Sequence, residues 1–483
     1  MRRHHNEKDD YLAGLVGLTA CSTPKSEYSV IDTITLEDGL PTNDSIQKVY
    51  DEIDFQRACQ AYIWGLPMMA TDGFVQSFKK DLNGQWGDLM WVKTFEDRSY
   101  GITANATTDY FFTWVNLQDT GPIVIDVPAG LTAGFISDIW QRCPADLGVP
   151  GLNKGKGGKH LLVGPGQEAP QNTEGYRIIK TETTHNLILT RIIEPNPKKA
   201  MELREAFQIY PLAKANNPPK TKIVEIGGRV WKTTQPEGFG YWEGMSRMIN
   251  SEPVGERDRL IYATLQPLGI EKGKPFNPDA RQRKVLEKAA VMGELMAKTT
   301  GFITRLESAE YVKGSMWDYP LVVGPTQRGE NYDLLDERAA WTYEALGISR
   351  GMTSRSVGVG SVYHGQYRSR DGKWLDGSQA YVLRVPKNVP AKNFWTVTVY
   401  DNKTRYLIQN GTGYADRGSR SDIVTNEDGS VDIHFGPVAP SGKEKNWIKT
   451  NPGEPWFAYF RLYGPLQPYF DRSWVLPDIE KVK

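Results

Sequence analysis

The sequence is short of the residue patterns from which metal and thiol sites are built. It has three cysteines, Cys21, Cys59 and Cys143, in no CxxC pair, and six histidines in no HxxxH or HExxH spacing. A zinc site of the usual kind needs such pairs, so no metal and no cofactor is expected. For Cys59, in the helix-like run 55–69, a buried inert thiol is the common reading, and a Cys59–Cys143 disulfide in an oxidising compartment stays open beside it. Net charge is missing too, since 58 Lys and Arg balance 58 Asp and Glu. Without a global field, no nucleic-acid partner is expected. No apolar run reaches the roughly 18 residues needed to cross a bilayer. There is no G-x-S-x-G elbow, which argues against an α/β-hydrolase. A phosphate loop is absent from the Gly/Lys stretch 151–160, because Pro150 and Asn153 stand where its first glycine is required and His160 follows Lys159. That stretch reads as a solvated hairpin loop, with anion contact at a domain end as the alternative.

Glycine, proline and aromatic residues are plentiful: 47 Gly, 30 Pro, 14 Trp and 23 Tyr. A chain punctuated this often suits an all-β texture with many turns. At the start, Arg2 and Arg3 precede a short apolar run, Tyr11 to Ala20, that ends in Leu18-Thr19-Ala20-Cys21 and a polar Ser22-Thr23-Pro24-Lys25. This resembles the lipobox of bacterial lipoproteins, although Glu7-Lys8-Asp9-Asp10 is an unusual prelude to it. The expectation is a signal segment over 1–21 with lipidation at Cys21, and a linker over 22–45. Export to the periplasm or outer cell envelope follows, with membrane contact only through the anchor.

A helix is expected within 46–75, stopped by Gly65 and Pro67. An N-terminal β-sandwich follows to residue 195, from strand-like runs at 110–117, 122–127, 134–140, 160–163, 176–180 and 187–193. Residues 196–345 read as a helical connector. Its clearest helix is 278–298, with Val285, Leu286, Ala289, Val291, Met292 and Leu295 along one face. Residues 346–483 read as a second sandwich. The fold class expected is mainly β, α+β overall. A faint repeat links Val124-Ile125-Asp126-Val127-Pro128 and 135–140 to Val382-Leu383-Arg384-Val385-Pro386 and 394–400, each as strand, proline-closed turn, strand.

Two sets of strings then carry a family resemblance. Ser137-Asp138-Ile139-Trp140-Gln141-Arg142, Asp146-Leu147-Gly148, Leu268-Gly269-Ile270 and Lys272-Gly273-Lys274-Pro275-Phe276 resemble the family called domain of unknown function 1254. Gly360-Ser361-Val362-Tyr363, Leu375-Asp376-Gly377, Phe394-Trp395, Asn446-Trp447 and Arg461-Leu462-Tyr463-Gly464-Pro465 resemble its usual companion, domain of unknown function 1214. The resemblance implies exported bacterial proteins of undefined activity, built as two jelly-roll-like antiparallel sandwiches with helical additions. Relatives can carry histidines where this chain has Ile139 and Trp140, which counts further against a metal.

Candidate residues come from two patterns. Ser361-Val362-Tyr363-His364 puts a hydroxyl pair on one strand face and an imidazole on the other. Its ordinary reading is a packed tyrosine and a surface histidine. Asp138 and Arg142 lie at i, i+4 after one strand of the repeat, and Asp401 and Arg405 repeat the spacing after the other. They read as polar-ligand contacts joined by Trp140, or as turn-fixing pairs. Tyr363, His364 and Asp401 are thus the catalytic candidates, and Asp138, Trp140, Arg142 and Arg405 the ligand-binding ones. Three functions stay open: a binder of a small molecule or glycan, an extracytoplasmic hydrolase, and a structural envelope component, any of them as a homo-oligomer.

Overall fold

The computed structural model describes residues 30–93, 101–106 and 108–482. Segment 1–21, with Cys21, lies outside the described residues. The chain divides into two units between Ile53 and Asp54. In the first, a 3-10 turn at Val30–Thr33 leads to a hairpin of β1 (Leu36–Glu37) and β2 (Leu40–Pro41).

Gly65 and Pro67 do not end the first helix, which runs through both over Asn43–Leu82. Residues 61–72 are buried on every side, so tertiary packing overrides local propensity. Gly65 serves close contact: a Cβ there would stand 2.5 Å from Met245 Cε. Cys59 and Cys143 are both buried and form no disulfide with each other.

The first set of strands comprises β3 (Leu89–Val92), β4 (Tyr110–Asn116), β5 (Ile123–Val127), β6 (Thr132–Asp138), β7 (Ala145–Gly148), β8 (Gly158–Val163), β9 (Tyr176–Lys180) and β10 (His185–Ile192). Two more, β11 (Gln208–Pro211) and β12 (Ile223–Glu225), come from the segment expected to be a helical connector. One sheet has the order β12-β3-β4-β10-β6-β7, the other β11-β5-β8-β9. Phe111, Val115, Ile136 and Ile188 of the first sheet share one buried cluster with Ile123, Ile125, Leu162 and Ile209 of the second. Gln208–Pro211 pairs antiparallel with β5, and its apolar Ile209 fills that cluster, so burial draws the segment into the sheet.

The second set comprises β13 (Ser361–Gln366), β14 (Leu375–Asp376), β15 (Tyr381–Val385), β16 (Ala391–Asp401), β17 (Asp416–Gly418), β18 (Val431–Gly436), β19 (Trp447–Lys449), β20 (Pro455–Pro465) and β21 (Glu480–Lys481). One sheet runs β13-β20-β16-β17 with β14 added to β20; the other runs β19-β18-β15-β21. Most pairs are antiparallel, with parallel exceptions at β12/β3, β8/β9 and β18/β19. The fold is therefore α+β, with mainly antiparallel sheets. The two copies of the repeat are not hairpins. In each, the strand before the proline lies in the four-stranded sheet and the strand after it in the larger one.

Among the helices between the two sets, Ala280–Phe302 opens on a capping box of Asp279 and Gln282. Its buried face is not the expected one. Val285, Leu286 and Ala289 are buried, but Val291 and Leu295 are 61% and 52% exposed. Small residues, Ala289, Gly293, Ala297 and Gly301, make the seam instead. A Cβ on Gly293 would stand 2.3 Å from Tyr62 Cγ, so the helices meet where side chains are smallest.

Candidate functional site

Strand β13 lies at the edge of its sheet, and an edge leaves backbone groups to be satisfied. Asp318 supplies partners for part of it, exchanging two hydrogen bonds with Gly365 at 2.8 and 2.9 Å. Beyond that bridge, towards Ser361, a cavity of about 230 Å³ opens between residues 319–324, 352–355, β13 and 469–472. Two guanidinium groups line it, Arg355 and Arg472, with the hydroxyls of Ser354, Ser361, Tyr319 and Tyr363 and the apolar side chains of Leu321, Val322, Met352 and Phe470. No carboxylate is among its lining residues.

The sequence builds Arg472 into place. It sits in the left-handed region at φ 64°, a conformation that a non-glycine side chain adopts at a cost and that turns up at binding and catalytic sites. Its Nη1 donates to the Tyr469 carbonyl at 2.6 Å and its Nη2 to the Tyr319 hydroxyl at 2.5 Å. The guanidinium lies over the rings of Tyr311, Tyr469 and Tyr319 at 4.9, 5.4 and 5.9 Å. Arg355 lies 5.2 Å over the Tyr319 ring. Cations so held, with no carboxylate beside them in the cavity, suit an anionic ligand.

Of the predicted residues, Tyr363 lines this cavity and shares a 2.7 Å hydrogen bond with Ser361 Oγ. His364 is fully buried, not at the surface. It is caged by Tyr311, Tyr319 and Tyr469, with ring centroids 4.1, 4.9 and 5.5 Å away. Neither ring nitrogen has a hydrogen-bond partner. Burial, followed by Arg472 and Arg355, pushes its pKa down to about 3, so the ring is neutral. Asp401 is remote from it. Cross-strand partners place His364 opposite Phe460 and Asp401 opposite Trp456, which is roughly 13 Å along the strands alone. The three catalytic candidates are not brought together.

Asp401 accepts from the amides of Lys403 and Thr404 at 3.0 and 2.6 Å, a turn-fixing role. Its expected partner, Arg405, turns away. Arg405 has φ 64°, donates Nη1 to the Tyr343 carbonyl and stacks 4.0 Å over the Tyr343 ring. Asp138 and Arg142 do pair, at 2.7 Å, and Arg142 also reaches Glu182 at 2.8 Å. Asp138 further accepts from the amides of Trp140 and Arg142, both at 2.9 Å. Trp140 is buried beside Trp64, 4.8 Å between centroids, with Arg257 and Arg338 over it. Two strand exits therefore brace one segment from opposite sides of the repeat. Gln141, at φ 58°, accepts from the Gly347 amide at 2.6 Å, as Arg405 holds Tyr343.

Sequence reasoning left one deeply buried cation out of the candidate residues. Arg461, in the middle of apolar β20, is 3% exposed. It donates to Thr398 Oγ1 at 3.2 Å and lies over the rings of Tyr459, Tyr363 and Tyr400. Nearby, the buried Glu344 carboxyl accepts from the hydroxyls of Tyr367 and Tyr459, and burial pushes its pKa up to about 7. An arginine within an otherwise apolar strand was the available signal. Among the described residues, no group of His, Cys, Asp and Glu could hold a metal.

No curated protein matches the sequence. The VPA0106 protein from Vibrio parahaemolyticus aligns at 18% identity and a TM-score of 0.57, covering 89% of this chain and 100% of that one; the likeness is one of fold. An uncharacterized protein from Burkholderia cenocepacia aligns at 11% identity and a TM-score of 0.40, covering 90% and 97%. Residues 88–211 match the family model of a protein of unknown function, DUF1254, and residues 360–467 that of another, DUF1214. The chain thus carries a DUF1254 segment and a DUF1214 segment.

Proposed function

We propose that the protein is an exported, lipid-anchored binding protein that takes a small organic anion in the cavity at the edge of β13. Its two pairs of sheets are, in this reading, jelly-roll-like sandwiches. The observation that carries it is the cavity itself: Arg355 and Arg472 with six hydroxyl-bearing residues, an apolar wall and no lining carboxylate. A concave site with a few convergent polar groups is the default place for a ligand. The volume suits a compact molecule with one anionic head and a short apolar body. An extracytoplasmic hydrolase is the alternative reading, and of its candidate groups Tyr363 lines the cavity, His364 is fully buried and Asp401 holds a turn. Export rests on the apolar run ending at Cys21.

A thermal-shift screen of small carboxylates, organophosphates and neutral sugars tests the binding reading. Carboxylates or phosphates are expected to raise the melting temperature of the parent and not of Arg472→Gln. Stabilisation by neutral sugars alone, unchanged in that variant, would overturn it. For the anchor, Cys21→Ser is expected to move the protein from the membrane to the soluble fraction, and continued membrane association counts against lipidation.

A further inference from the structure

A second concavity lies at one end of the first sheet pair, remote in sequence from the cavity above. Its volume is about 590 Å³, and Lys154, Lys156, Lys159 and Arg177 line it with Asn153 and Tyr176. No acid is among its lining residues, although the whole chain has as many acids as bases. Asp126 stands opposite Lys159 across the ladder, and Glu174 and Glu194 are the acids of the neighbouring turns.

The same end presents apolar side chains to water. Leu152, on the rim, is 82% exposed, and Leu131, Val149 and Ile193 are 42%, 40% and 37% exposed. Backbone hydrogen bonds bind their loops into one platform. Gly130 donates to Gly155 at 2.9 Å, Val149 to Thr132 at 2.8 Å, and Ile193 to Leu131 at 2.9 Å. Strand register agrees, since Thr132 at the start of β6 pairs with Ile192 at the end of β10, and Ala133 with Gly148 at the end of β7. Lys154, Gly155 and Gly157 all have φ between 48° and 77°, which holds the loop in a fixed, non-extended form.

Clustered lysines around a concavity that no acid lines, beside protruding aliphatic side chains, are what an anionic bilayer surface binds. The charges meet lipid headgroups, and the apolar tips enter the boundary beneath them. A soluble polyanion would be served by the lysines alone and leaves Leu152 unexplained. We infer that this end of the DUF1254 segment docks on an anionic lipid surface. The docking is independent of acylation, and where one acyl chain holds a protein only marginally, a basic patch supplies the second attachment.

The test uses the full chain carrying Cys21→Ser, so that no acyl chain contributes, sedimented with vesicles of phosphatidylcholine alone or mixed equally with phosphatidylglycerol. Binding is expected only to the mixed vesicles and is expected to weaken with added salt. Replacing Lys154, Lys156 and Lys159 by Gln weakens it about fivefold each, on the order of a hundredfold together, while replacement by Arg retains it. Leu152→Ser weakens it roughly tenfold. Equal sedimentation with both vesicles, or a triple Gln variant that binds as its parent does, overturns the inference. So does capture of inorganic polyphosphate, undiminished in Leu152→Ser, without vesicle binding.

Discussion

Arg461 donates to the carbonyl oxygen of Thr103 at 2.7 Å, joining positions 358 residues apart in sequence. Thr103 belongs to the loop before β4 and Arg461 to the central strand of the second set. The bond therefore crosses between the two family segments, inside a layer of tyrosine rings that excludes water.

Removing that guanidinium leaves the Thr103 carbonyl with only a long 3.4 Å bond from the Tyr400 hydroxyl and takes the donor from the Thr398 hydroxyl. Arg461→Met is expected to cost about 2–4 kcal/mol in urea denaturation, since hydrogen bonds to charged groups are the stronger class and unsatisfied partners add their own penalty. A change below the error of the measurement would show that water takes over both acceptors.

Glu344 makes stability depend on pH in a direction opposite to most carboxylates. Its folded pKa is raised by burial, to about 7 against a model value of 4.5. Below pH 4.5 the folded and unfolded chains are both protonated there, and its contribution is fully present. Between about 4.5 and 7 the unfolded chain loses the proton first, and stability falls by on the order of 3 kcal/mol. Glu344→Gln removes that decline. Parallel pH profiles for parent and variant across this window would refute the assignment.

His364 is expected to tolerate an apolar ring. His364→Phe keeps the aromatic cage filled and removes two unpartnered nitrogens, so stability at pH 7 is unchanged or higher, whereas His364→Ala loses about 2–4 kcal/mol. Because burial depresses the folded pKa to about 3, the parent loses stability as pH falls from about 6.5 towards 3. The Phe variant lacks that component of the acid sensitivity.

Gly293 sets two effects against each other. In a helix interior Gly→Ala gains about 1 kcal/mol, but here the new Cβ meets Tyr62, whose ring is stacked on Tyr241 at 3.8 Å. Overpacking of a held ring costs about 1–3 kcal/mol. Thermal melting is expected to show net destabilisation of Gly293→Ala, and a rise in melting temperature would show that the seam can open.

Six strands of the first set and the repeat strands of the second were legible in the sequence, because β-branched and aromatic runs between glycines and prolines carry their own signal, whereas β11 and β12 were hidden in a segment with helical texture. Tyr176–Lys180 was read to the residue, and His185–Ile192 within two. What failed were positions where tertiary contact sets local structure. Gly65 and Pro67 look like a helix stop, but both lie in a fully buried stretch, and Gly65 meets Met245 of another helix where no side chain fits. Val291 and Leu295 fit a helical stripe, yet the seam runs along the small residues instead. Thr396 and Thr398 alternate with Val397 and Val399 as on a half-buried strand, yet they are 4% and 1% exposed, because that face is covered by the loop at Thr103 and the helix end at Glu344. The site was only partly visible. Tyr363 was identified on its strand, but Arg355 and Arg472 lie in segments without pattern, and their convergence on one cavity is a property of the folded chain. Asp138–Arg142 and Asp401–Arg405 share a spacing and not a geometry, because Arg405 finds a better acceptor at Tyr343.

The covered threonine face has a consequence for the unit of inheritance. A sheet whose outer face is wet needs no partner from elsewhere in the chain to cover that face. Here the second sheet shows arginine, tyrosine and threonine groups on a face whose partners, Thr103 and Glu344, are encoded upstream of residue 360. A gene cut to its DUF1214 segment would leave that face solvated and the guanidinium of Arg461 without its Thr103 acceptor. Thr103 and Arg461 lie in different family segments, so each segment completes a buried hydrogen bond of the other.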